Sequence, residues 1–171
     1  MNQDEFKQLL FKVAFCAMAC DGEIDDLEVK ELHLIDKNTS YFSAIDLSEE
    51  LEDLINNFKA TGILVIEELF IYLRESKLST IQELLILEVA LRIVNADNKH
   101  DENEIKFIHL LRSKLELHDE TINDRFGEIK ILHTNIYSKN ASLGNIEAKY
   151  LETMQLPELT QVVFENLEKE L

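Results

Sequence analysis

Between Phe6 and Ala17 the apolar residues Phe6, Leu10, Val13, Ala14 and Ala17 recur at the three- and four-residue spacing of one helix face. Little interrupts such a pattern, because the chain has one Pro and four Gly in 171 residues, far below ordinary usage. Helix-period stretches continue through about 25–36, 47–59, 63–75, 80–96, 102–115 and 119–126, and none of this alternates with period two for long enough to make a strand. The pattern predicts an all-α fold, a compact bundle of about seven helices. In the second helix Leu27, Leu32 and Ile35 are expected to face inward, and Phe58, Phe70, Tyr72 and Phe107 fall at packing intervals and are expected in the core.

Beyond Gly127 the pattern weakens. Ile129, Leu132, Ile136 and Tyr137 fit a helix, although Ile129, Ile131 and His133 would also open a short strand. Ser138 to Asn145 is turn-like, after which Ile146, Tyr150 and Met154 resume helical spacing. Pro157 fits the first turn of a last helix with Leu159, Val163, Phe164 and Leu167 on its buried side. The expected organisation is a helical domain over 1–127 and a C-terminal extension, helical in character, over 128–171.

A formal net charge of −17 repels nucleic-acid phosphates and anionic lipid headgroups, so direct binding to DNA, RNA or an acidic membrane is disfavoured. The same field attracts cations and basic protein surfaces, and also serves plain solubility. Lys7 and Lys12 break up the only N-terminal apolar stretch, which argues against a signal peptide. The most apolar segment, Gly62 to Leu73, carries Glu67 and Glu68 and is too short to span a bilayer. These features predict a soluble, cytoplasmic protein that is not an integral membrane protein, with recruitment to a membrane-bound partner left open.

Shifting the sequence by 76 positions aligns Leu9 with Leu85, Val13 with Val89, Ala14 with Ala90, and His33 with His109, among others. The chain reads as a duplicated helical hairpin. Three acidic positions of DGEIDDLE at 21–28 recur in DNKHDENE at 97–104: Asp21, Asp25 and Glu28 match Asp97, Asp101 and Glu104.

Two readings of these triplets stand side by side. In one they are helix punctuation: Gly22 and Asn98 suit the left-handed end of a helix, Asp25 and Asp101 are good N-caps, and Glu28 and Glu104 close a capping box. In the other, Asp21 and Asp97, placed where the helix dipole disfavours an anion, combine with the caps into acidic patches that suit Ca²⁺ or Mg²⁺. The EF-hand frame is excluded, since its sixth and twelfth positions counted from Asp21 hold Asp26 and Leu32.

A helix ending in A-x-D-G, I-D-x-x-E opening the next, and a second D-x-x-x-D-x-x-E copy further on resemble the TerB-like family of tellurite-resistance-associated proteins, over roughly residues 4–127. The resemblance implies an all-helical domain with internal pseudo-symmetry and divalent-cation sites at these turns. It also implies a role beside tellurite-resistance and stress proteins, without established catalysis. Position by position it places metal ligands at Asp21, Asp25, Glu28, Asp97, Asp101 and Glu104. Asn98 and Lys99 depart from the Gly-acid pair of the first copy, and a lysine beside the second triplet weakens attraction for a cation.

Other chemistry-bearing residues read as structural. His33 and His109 lie about 140° round the helix from Glu28 and Glu104 and point away from the acids. Cys16 and Cys20, near a helix C-terminus and beside carboxylates, have a disfavoured thiolate and are expected to be inert. With no nucleophile and base pair, phosphate loop or open zinc constellation, the chain is expected to be non-enzymatic, binding a divalent cation and a protein partner with a basic surface. The competing expectation is a metal-free helical scaffold whose acidic motifs are only caps.

Overall fold

The helix α1 (Gln3–Ala19) is apolar on nearly every side; from Leu9 through Cys20 only Lys12 escapes burial. A helix of that kind has no face to give to water and must sit in the middle of its fold. Its partner there is α5 (Thr80–Val94), which buries Ile86, Leu87, Val89, Ala90 and Ile93 and packs more extensively on α1 than any other pair of helices pack. Ala14, Ala17 and Ala90, each fully buried, let the two backbones approach closely.

The computed structural model describes residues 1–22, 24–43, 45–134 and 143–153. Around the central pair lie α2 (Asp26–Asn38), α3 (Leu47–Thr61), α4 (Leu64–Glu75), α6 (Glu102–Ser113), α7 (Asp119–Phe126), the single turn α8 (Lys130–His133) and α9 (Leu143–Thr153). All regular structure among the described residues is helical, as the breaker-poor sequence predicts, and the alternative of a strand near Ile129 gives way to α8. Ile136, Tyr137, Met154, Pro157, Leu159, Val163, Phe164 and Leu167 lie outside the described residues. The turn expected to run from Ser138 to Asn145 ends sooner, since α9 begins at Leu143.

Ring contacts tie the outer layer to the centre. Phe11 meets Phe42 edge-on at 5.6 Å, Phe15 meets Phe58 at 5.8 Å, and Phe70 of α4 lies 5.8 Å from Phe107 of α6. The outer helices are amphipathic, and two residues expected inside are not there. Leu27 is 47% exposed because the cap at Asp25 phases α2 so that Glu28, Val29, Leu32 and Ile35 face the core. Tyr72 is also 47% exposed, being about 200° round α4 from the buried Phe70. Ile131, Ile146 and Tyr150, which follow the expected boundary at 127, belong to the same continuous core as α1 to α7.

Candidate functional site

Each acidic triplet straddles one tight turn, α1–α2 or α5–α6, and the two turns are built alike. Gly22 takes a φ of 93° and Asn98 a φ of 60°, and Asn98 is the one non-glycine residue among those described with a positive φ. The left-handed backbone reverses the chain within a few residues, and glycine or asparagine adopts it at least cost. The next helix is then capped. Asp25 Oδ1 accepts from the Leu27 amide (2.7 Å), and Glu28 Oε2 accepts from the Asp25 amide (3.0 Å). In the second turn Asp101 Oδ1 accepts from the Asn103 and Glu104 amides (2.6 and 2.8 Å), and Glu104 Oε2 accepts from the Asp101 amide (2.7 Å). Asp25, Glu28, Asp101 and Glu104 are thus capping-box residues, each using one carboxylate oxygen on a backbone amide.

The remaining pair differ from one another. Asp97 Oδ1 accepts from the Lys99 amide at 2.7 Å, an Asx turn that gives it a local structural purpose. Asp21 is half-buried at the end of α1, a helix with no basic residue in its last turn, whereas α5 carries Arg92 there. Arg92 in turn pairs with Glu31 of α2 at 2.6 Å.

The packing of α1 on α5 brings the two turns into one electrostatic neighbourhood. Burial pushes the Glu28 carboxyl up to about 9, with the charges of Asp21, Glu104 and Asp25 adding to the effect against its backbone hydrogen bond. Glu104 is pushed up to about 7, again by burial first, with Asp101, Asp21 and Asp97 adding. Each glutamate is under a tenth exposed. The charge of Asp21 acts on both glutamates, so the two turns are electrostatically linked through it.

In chemistry this donor set fits a hard divalent cation, since every side chain is a carboxylate and their mutual repulsion is relieved by positive charge. In spacing it is not a ready-made chelate: among the described residues no group of three or more His, Cys, Asp or Glu lies close enough to hold a metal ion.

The cysteines and histidines stand apart from this chemistry. Cys16 and Cys20 are fully buried; burial pushes the Cys16 thiol up to about 12 and raises Cys20 as well, with Asp21 and Glu104 adding to the latter. Neither is a nucleophile in that state. His109 Nε2 contacts the Ile131 carbonyl at 3.0 Å, linking α6 to α8, and burial lowers its pKa. Buried His33 Nε2 has no hydrogen-bond partner among the described residues.

One neighbour of the first turn is invisible to local reasoning. Tyr150 of α9, 1% exposed, donates its hydroxyl to the carbonyl of Cys20, the residue just before Asp21, at 3.0 Å. Helical spacing marks Tyr150 as an inward residue, but its contact lies 130 positions away in sequence.

No family model, curated protein or solved structure matches the chain. The likeness to TerB-like proteins therefore stands on the motif residues themselves. No helix among the described residues is long and apolar enough to cross a membrane.

Proposed function

We propose that this chain is a non-enzymatic, cytoplasmic helical module that binds protein partners and whose paired acidic turns respond to a divalent cation, Ca²⁺ or Mg²⁺. The observation that carries the reading is the reach of Asp21 to the buried glutamates of both turns. Two helix ends brought together by core packing concentrate negative charge where water is scarce, and an ion that neutralises it stabilises the junction. A partner with a basic surface suits the net charge of −17 and the exposed acidic side of α3, where Glu49, Glu52 and Asp53 face solvent. A place beside tellurite-resistance and stress proteins rests on the motif resemblance.

Thermal unfolding of chelator-stripped protein tests the cation response. Millimolar Ca²⁺ or Mg²⁺ is expected to raise the midpoint beyond what NaCl of equal ionic strength achieves, equivalent to about 1–3 kcal/mol near saturation. No difference between divalent and monovalent salt sinks the reading. Asp21→Asn is expected to weaken the response more than Asp97→Asn, because Asp21 bears on both glutamates whereas Asp97 acts on Glu104 and is held by the Lys99 amide.

The complete capping boxes favour a second reading, a metal-free scaffold in which the triplets only punctuate helices. It predicts no divalent effect, and an Asp21→Asn protein that is as stable as the parent or more so in metal-free buffer.

A further inference from the structure

The carbonyls at the C-terminal end of α1 carry the negative end of the helix dipole, and no Lys, Arg or His lies in the last turn to offset it. Neutral donors reach them instead: Cys20 Sγ on the Ala17 carbonyl, the Gly22 amide on the Ala19 carbonyl and, from the far end of the described chain, the Tyr150 hydroxyl on the Cys20 carbonyl. Ionisation of Tyr150 is opposed first by burial and then by Cys20, Cys16, Asp101 and Asp21, so it remains a donor at physiological pH.

The helix that carries Tyr150, α9, packs on α6. Ile146 is buried beside Tyr150, and Glu147 pairs with Lys114, whose ammonium also lies 5.5 Å from the centre of the Phe70 ring. The eleven-residue α9 sets buried Ile146 and Tyr150 and partly buried Leu151 against exposed Ala148 and Lys149, and such a helix opens at lower free energy than the central helices α1 and α5.

We infer that α9 is a clasp on the first acidic turn: its docking, through Tyr150 on the Cys20 carbonyl, holds the end of α1 in place. Anything that draws α9 away, including a protein partner engaging it, loosens the Asp21 turn. By reciprocity, an event that reshapes the Asp21 turn alters the docking of α9. This coupling is independent of whether the acidic turns take up an ion, because it rests on a hydrogen bond between a phenol hydroxyl and a backbone carbonyl, with no carboxylate in it.

Amide hydrogen exchange on the full chain in metal-free buffer tests it. The readout is the Gly22 amide, which donates to the Ala19 carbonyl at 3.2 Å, compared with amides in the middle of α1. Tyr150→Phe, which keeps the ring and deletes the donor, is expected to speed Gly22 exchange about tenfold while mid-α1 amides are unchanged. Glu147→Gln, which loosens α9 at its ion pair with Lys114 without touching Cys20, is expected to speed both α9 exchange and Gly22 exchange.

If Tyr150→Phe speeds exchange in α9 alone, or if Glu147→Gln frees α9 and leaves Gly22 protected, the clasp is overturned. Exchange raised uniformly through α1 in Tyr150→Phe also overturns it, since Tyr150 is then a general core residue. A wild-type protein with no divalent response would defeat the cation reading and leave this one standing.

Discussion

Glu28 does two things that conflict. Its carboxylate is wanted by the Asp25 amide, yet it is buried beside Asp21 and Glu104, and the burial prevails, pushing its pKa up to about 9. In the unfolded chain the same group titrates near 4.3. Between those values the folded state holds a proton that the unfolded state has released, so stability is greatest below the unfolded pKa and falls as pH rises toward 9. Glu104, pushed up to about 7, has the same sign over a narrower window. Metal-free protein is therefore expected to lose stability between pH 5 and pH 9, on the order of a few kcal/mol in denaturant unfolding. Glu28→Gln keeps an acceptor for the Asp25 amide and removes the charge; it is expected to flatten most of that slope and to be more stable than the parent at pH 8. A slope unaltered by Glu28→Gln would mean that the charge at this position is compensated by other means.

The helices end where their caps dictate, and the caps were largely legible in the sequence. Asp25 with Glu28 and Asp101 with Glu104 were recognisable because a capping box is a local motif, set by three-residue spacing and a short side chain. Orientation was harder. Leu27 and Tyr72 look like core residues by type and are solvent-facing in fact, because the phase of a helix is set by its whole apolar stripe and by its first capped residue. Gly127, which ends α7, has φ 71° and ψ −159°, a region open to glycine and costly to any other residue. A Cβ placed there would meet nothing within 4 Å, so Gly127→Ala isolates the backbone term. It is expected to cost about 1–3 kcal/mol in chemical denaturation with no change in the slope against denaturant. A neutral result would show that the α7 end relaxes to another conformation.

Taken together, the helices form one core on an acidic chain. Self-repulsion of a net charge of −17 opposes compaction, and dissolved salt screens it. Raising NaCl from a few millimolar to physiological ionic strength is expected to raise Tm by a few degrees. Insensitivity to salt would show that the ion pairs Arg92–Glu31 and Arg125–Glu88, which salt weakens, offset the relief. The continuity of the core makes Ile131, Ile146 and Tyr150 part of the body that carries the acidic turns.

Helical class, turn positions and cap chemistry were determined by sequence alone, because each depends on residues a few positions apart: apolar spacing, scarce breakers, Gly22 or Asn98 at a left-handed turn, an acid three residues beyond an aspartate. That Asp21 acts on the glutamates of both turns and that Tyr150 closes on the Cys20 carbonyl were decided only by tertiary structure. Those relations depend on α1 lying along α5 and on α9 folding back over the end of α1. A contact between residues 130 positions apart leaves no periodic trace, since it is selected by the closest packing of apolar helices rather than by any local preference.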